Sequence, residues 1–189
     1  MLPASVVRLD TAIAFYNRSD TPGYTFALMP LFSHKFTTNF MGLVRWGIIG
    51  NAPPESNLTS AVSVTNPLLA GLYGVKLPKG FRLAFFLGVT VPIGTGGCGD
   101  AKTAAGDPNV TAATQAGLLA RSAMDNVLFA VNDVSVVPGL DIAYVGHRLT
   151  VQIEMTLLQL MRVKNEATQP DQFRTNSTLG LHIGYYATS

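Results

Sequence analysis

The most constraining feature of this chain is an alternation between large apolar residues and small or polar ones. In residues 81–93 one alternating set is wholly apolar, namely Phe81, Leu83, Phe85, Leu87, Val89, Val91 and Ile93. The same period of two returns in residues 134–144, 150–163 and 175–187. Successive side chains of a strand point to opposite faces, so this pattern predicts strands with one strongly apolar face.

A membrane-spanning helix finds no support in the sequence. Such a helix needs about 18 or more consecutive apolar residues, whereas the best candidate, 83–93, is shorter and contains Pro92. The chain is nevertheless hydrophobic, because 48% of its residues are hydrophobic, only 13% are charged, and its mean hydropathy is +0.29. Two fold classes fit: a soluble all-β protein with a dry core, and a β-barrel whose outer face meets lipid.

The spacing of the alternating segments predicts about eight strands of roughly ten residues, the length a tilted strand needs to cross a bilayer. The connections sort into two kinds. Long, polar linkers are predicted at 18–23, 51–66, 95–132 and 164–173, and short turns at 35–39, 77–80 and 145–149. Long loops on one side and short turns on the other are typical of outer-membrane barrels. The longest linker holds the one helix we expect, opened by Asp107-Pro108 and running to Met124.

The segments FRLAFFLGVTVPIG (81–94), TVQIEMTLLQLMRV (150–163) and TNSTLGLHIGYYAT (175–188), together with the sorted loops, resemble outer-membrane β-barrels of Gram-negative bacteria of the porin-like or transporter-like kind. The resemblance implies an antiparallel up-and-down transmembrane β-barrel, one domain over residues 1–189, in the outer membrane with lipid as its partner. The chain departs from that family at Ala187-Thr188-Ser189, where such barrels commonly end on an aromatic residue. More strands in the native barrel, and its oligomeric state, stay open.

The alternation also assigns residues to the two faces of the expected barrel. The apolar face is expected to meet lipid through Leu83, Phe85, Leu87, Val89, Val91, Ile153, Met155, Leu181 and Ile183. Charges at membrane depth are costly unless they face an interior, so the opposite face is expected to line it. The residues concerned are Arg8, Asp10, Arg45, Arg82, Asp141, Glu154, Arg162, Arg174 and His182.

Two interpretations of this interior remain open. It is either a net cationic conduit for small polar solutes, anions above all, or a filled interior whose charges pair with one another. A structural or adhesive barrel that conducts nothing, and a soluble barrel with the faces reversed around an apolar ligand, are the alternatives of other classes.

Enzymatic and cofactor functions find little support. His182, with Glu154 on the preceding predicted strand, is the only candidate for acid–base chemistry, and a lone histidine on a polar face is usually hydrogen-bonded. We therefore expect no enzyme and no cofactor. Cys98 is the single cysteine, which excludes an intramolecular disulfide and a cysteine-based metal cluster. A net charge of +2 without a basic cluster argues against a nucleic-acid partner.

Overall fold

The structure is a computed structural model and describes residues 3–18, 21–52, 60–95, 128, 130–146, 148–164 and 172–185. Within these ranges the fold is all-β, as the alternation predicts. Its ten strands are β1 (Val6–Arg18), β2 (Thr21–Lys35), β3 (Phe40–Arg45), β4 (Ile48–Ala52), β5 (Ala61–Val64), β6 (Leu68–Lys76), β7 (Phe81–Thr90), β8 (Asp133–Val145), β9 (Leu149–Arg162) and β10 (Phe173–Tyr185).

All ten strands belong to one antiparallel sheet. Its order is β10-β9-β8-β7-β6-β3-β2-β4-β5, and β1 pairs with β2. β3 and β4 pair with successive parts of β2, while β6 pairs with β3 and β5 with β4. The ten strands therefore occupy eight positions across the sheet, where about eight uninterrupted strands were predicted.

Two residues separate short strands that share one position in the sheet, and the alternation predicts the first of these pairs, β3 and β4, as one continuous strand. Gly47 separates β3 from β4, and a Cβ at this position would lie 3.1 Å from the Met29 Cγ. Pro67, which has no backbone N–H, lies between β5 and β6. β5 itself falls inside 51–66, where a linker was expected. That expectation was wrong because the four residues of β5 are too few to show a period of two.

The strand connections lie at two ends of the sheet, here named the turn end and the loop end. The turn end holds the connections 36–39, 77–80 and 146–148, which were predicted as short. Gly80 has a φ of 84°, and a Cβ on it would lie 2.5 Å from the Val145 carbonyl oxygen, so this turn requires glycine. At the loop end only residues 19 and 20 separate β1 from β2, so the long first loop expected over 18–23 was wrong.

Residues directly opposite each other on paired strands share a face, which divides the side chains into an inner and an outer set. The inner face holds the buried hydrophobic residues in three clusters: Ala27, Met29, Ile49, Leu68, Leu128 and Val131; Met41, Leu72 and Ala84; and Val137, Leu158 and Leu160. Side chains of β1 and of β9 line one and the same cavity on this face. The sheet therefore curls around its inner face.

The curled sheet is not closed. β1 and β10 are edges, and no backbone pairing joins them in the described part of the chain. Of the expected up-and-down transmembrane barrel, the structure thus establishes the all-β, antiparallel architecture. The helix expected over 107–124 lies outside the described residues. Within the described ranges, no helix has the length and apolar character needed to cross a membrane.

Candidate functional site

The side chains expected to line an interior all lie on the inner face of the curled sheet. The strand register shows this directly, since Arg8 and Arg45 both lie opposite Leu31, and Asp141 lies opposite Glu154. The nine expected residues on this face are Arg8, Asp10, Arg45, Arg82, Asp141, Glu154, Arg162, Arg174 and His182. The alternation therefore assigned these nine residues to a common face, and the structure brings some of them into contact.

Asp10 lies between two arginines on one wall of the interior. Its Oδ2 lies 3.0 Å from Nη2 of Arg8 and 3.5 Å from Nη2 of Arg45. The pairing register explains the contact, because β1 and β3 flank β2 and place both arginines beside Leu31. One carboxylate thus balances two guanidinium groups, which leaves this wall with a net positive charge.

The opposite wall carries the acidic residues. Asp141 accepts a hydrogen bond of 2.6 Å from the Nε2 of Gln152, and the Glu154 Oε2 lies 3.9 Å from the Nε2 of His182. Asp141 and Glu154 are direct neighbours across the β8–β9 pair. Positive charge on β1 and β3 therefore faces negative charge on β8 and β9 across the interior.

Asp133 is an inner residue that the sequence interpretation missed. It is 3% exposed at its side chain and forms an ion pair with Arg174 on β10. The interpretation placed the start of the strand at residue 134 and so left Asp133 next to the long linker. The signal was present, because Asp133 continues the inner series of Ser135, Val137 and Asp141 by the period of two.

A cavity of about 590 Å³ lies on the inner face between these two walls. Its charged lining residues are Arg8, Arg45, Asp141 and Glu154, but most of its wall is apolar, with Leu31, Leu43, Leu72, Phe86 and Val137 among the contributors. These apolar residues lie on the face for which a polar lining was expected. The alternation did not reveal them, because both faces of several strands carry apolar residues.

Toward the loop end the inner face is filled. Asn66 is fully buried and donates from Nδ2 to the carbonyl oxygens of Ala130 at 2.8 Å and Asp133 at 3.0 Å, while its Oδ1 accepts from the Gly94 N–H at 2.8 Å. These bonds join the strand break at Pro67 to the segment before β8. Leu128 and Val131, in that segment, complete an apolar cluster across this end of the interior.

The outer face has a different composition. In the described strands no Asp, Glu, Lys or Arg lies on it. The residues expected to meet lipid all belong to it or directly follow it in sequence, and all but the partly buried Leu83 are at least 36% exposed: Phe85, Leu87, Val89, Val91, Ile153, Met155, Leu181 and Ile183. Exposed large hydrophobic side chains outnumber buried hydrophobic ones by more than two to one in the described ranges.

Sites for catalysis and metal binding are poorly developed where the chain is described. His182 and Glu154 are both substantially exposed, with side-chain exposures of 63% and 47%. Among the described residues no group of three or more His, Cys, Asp and Glu side chains is placed to hold a metal ion. His147, Cys98 and the glycine-rich residues 96–103 lie outside the described ranges.

Comparisons of the chain with protein-family models, with curated proteins and with solved structures gave no match. The geometry of the two faces therefore carries the functional argument alone.

Proposed function

We propose that the protein is a transporter-like β-barrel of the bacterial outer membrane, embedded with its outer face in lipid. One observation carries this proposal: the outer face of the described strands is free of charged residues and carries most of the large exposed apolar side chains. Soluble monomers rarely expose contiguous apolar patches above a few hundred Å². Here the apolar residues extend over the whole width of the sheet, which suits a hydrocarbon environment rather than a local docking patch.

Aromatic residues support the same proposal by their position at the ends of the outer face. At the turn end the exposed aromatic side chains are Phe36, Phe40, Tyr73, Phe81, Tyr144 and Tyr185. At the loop end, Phe15 and Tyr24 lie directly opposite each other, and Phe173 begins β10. Transmembrane barrels carry aromatic girdles at both interfaces, with an apolar band between them.

A barrel in lipid must also satisfy the backbone groups of its edge strands. β1 and β10 each contain 13 residues, and the eight positions of the sheet make them antiparallel to each other. We therefore infer that β1 and β10 pair in the membrane and close the barrel. The cavity shared by β1 and β9 supports this, because the sheet already curls far enough for its two ends to face one space.

The nature of the solute depends on the interior. The opposed charges of Arg8, Arg45, Asp141 and Glu154 suit a small polar or charged solute, whereas the apolar walls between them suit an amphipathic one. A second function, a structural barrel that conducts nothing, is favoured by the apolar clusters that fill the inner face toward the loop end. The interior of a barrel with about eight strands is just wide enough for side chains to fill it.

Partitioning between membrane and buffer tests the proposal. The full chain is refolded with phospholipid vesicles and floated on a density gradient, and its strand content is followed by circular dichroism. We expect the folded protein to float with the vesicles, to resist extraction by high salt and alkaline buffer, and to need detergent for release. A folded, monodisperse monomer in detergent-free buffer would overturn the proposal in favour of the soluble barrel.

A further inference from the structure

The turn end of the sheet has a strongly one-sided charge. Five of the 13 basic residues of the chain lie in residues 33–41, 74–83 and 144–150, and none of the 11 acidic residues does. The five are Lys35, Lys76, Lys79, Arg82 and Arg148. Since opposite charges are absent from these segments, their potentials add and favour an anion at this end.

Two of these residues share a crevice. Lys35 at the end of β2 and Lys76 at the end of β6 line one cavity of about 410 Å³, together with Pro3, Thr38, Asn39 and Val75. The turn 36–39 places them there, because it lies between the ends of the two strands. Both lysines are exposed, and within the described ranges neither ammonium forms a salt bridge.

The crevice also contains two neutral residues that can donate hydrogen bonds. Thr38 and Asn39 are among its lining residues, and their side chains form no hydrogen bond with another described group. The two ammonium charges lie beside one space with no carboxylate among its lining residues, so their potentials add there and attract an anion. A compact anion with several acceptor oxygens suits such a crevice, because it accepts hydrogen bonds from ammonium groups and from neutral donors alike.

We propose that the crevice between Lys35 and Lys76 is a binding site for a phosphate group. Lys79, Arg82 and Arg148 lie at the same end of the sheet and add to its positive potential, although they do not line the cavity. The phosphate is carried either by a soluble molecule or by the headgroup of a lipid, since the exposed aromatic residues of the turn end lie close by. The site itself does not depend on the membrane proposal, because it is formed by β2, β6, the turn 36–39 and Pro3 before β1.

Titration of the full chain in an uncharged detergent tests the site, with inorganic phosphate in one arm and short-chain phosphatidic acid in mixed micelles in the other. The variant Lys35→Gln with Lys76→Gln removes the two ammonium groups. Its matched control, Lys79→Gln with Arg148→Gln, removes the same charge from the same end outside the crevice. All four side chains are exposed, so circular dichroism is expected to show unchanged folding.

We expect the crevice variant to weaken phosphate binding by about tenfold or more and the control by about twofold, because only the former loses direct contacts. Binding of inorganic phosphate identifies a soluble ligand, and binding of phosphatidic acid alone identifies a lipid headgroup; either supports the site. The proposed site would be overturned by equal weakening of binding in both variants or by no binding in either arm. Equal displacement of the bound phosphate by chloride at matched ionic strength would overturn it as well.

Discussion

Asp133 and Arg174 form an ion pair that reaches across an entire strand. Asp133 begins β8 and Arg174 lies at the start of β10, with β9 between them. The Asp133 side chain is 3% exposed and that of Arg174 is 34% exposed. The pair thus ties the edge strand β10 to the interior of the sheet at its loop end.

Removing Arg174 is expected to destabilise the protein by leaving the Asp133 carboxylate buried without its partner. Arg174→Met should lower the free energy of unfolding by about 1–3 kcal/mol, less than for a fully buried pair because Arg174 is partly exposed. Adding Asp133→Asn to the same chain should restore part of the loss. Urea titration of the refolded protein measures both, and equal stability of the single and double variants would contradict the pairing.

The two faces of β10 offer a test of orientation with one substitution at adjacent positions. Leu179 is 74% exposed on the outer face, while Thr178 lies opposite Thr156 on the inner face. In lipid, Leu179→Arg should cost about 2–4 kcal/mol, the range for a basic residue near the middle of a membrane barrel. Thr178→Arg should cost much less, because its side chain points to the interior.

The measurement for this pair is the free energy of folding into vesicles, with the same variants compared in mild detergent. A larger penalty for Thr178→Arg than for Leu179→Arg would reverse the faces. That outcome would favour a soluble barrel whose apolar face is internal.

How far the sequence predicts this molecule depends on the length of each pattern. The assignment of Arg82 and Leu87 to opposite faces of β7 followed from an alternation of more than ten residues, a pattern that is visible in the local sequence. The break at Gly47 did not follow from the sequence, because the tight contact that a Cβ at this position would make involves Met29 on a neighbouring strand. Tertiary contacts of this kind leave no periodic signal.

The sequence predicted the common face of nine polar or charged residues, but it missed other charged residues and the apolar content of that face. Asp10 and Arg45 stood out because charged residues are scarce in the strands, and the structure places them in contact. Leu43 and Phe86 were not assigned to the interior, because an apolar residue facing inward breaks the contrast between the two faces. The buried position of Asn66 depends on partners about 64 residues away, which no local pattern records.

The inner charges predict the ion selectivity of any open pathway. The described side chains of the inner face include seven basic and four acidic residues, an excess of three positive charges: Arg8, Lys35, Arg45, Lys76, Arg82, Arg162 and Arg174 against Asp10, Asp133, Asp141 and Glu154. We expect anion preference, which Arg82→Gln together with Arg162→Gln should reduce, since the double variant removes two of the three excess positive charges.

Reversal potentials in planar bilayers under a salt gradient measure this preference. The matched control, Lys79→Gln with Arg148→Gln, removes the same charge from the turns instead of the inner face and should change selectivity less. High salt should reduce the difference, because it screens the interior field. Cation preference of the unchanged protein would contradict the charge argument, and a complete lack of conductance would favour the structural barrel.

The proposed closure of the sheet into a barrel predicts a specific register between β1 and β10. One row of directly opposite inner residues runs across the sheet from Arg8 on β1 to Arg174 on β10. Between these two ends the row consists of Leu31, Arg45, Leu68, Thr90, Ser135 and Leu160. This row starts near the turn end of β1 and finishes at the loop end of β10. The two strands overlap along nearly their whole length if Arg174 lies opposite Arg18, an offset of ten residues around the barrel.

In this register Ile13 lies opposite Leu179, and both are outer-face residues. We expect Ile13→Cys with Leu179→Cys, in a Cys98→Ser background, to form an intramolecular disulfide in vesicles. Directly opposite residues of an antiparallel pair have Cα atoms about 4.5–5.5 Å apart, which a disulfide spans. Thr11→Cys or Phe15→Cys with Leu179→Cys should react poorly, since these positions are two residues out of register and correspond to offsets of eight and twelve. Electrophoresis without reductant separates the outcomes: a faster-migrating monomer supports closure, whereas a covalent dimer from the same pair would show that the two edges join neighbouring copies instead.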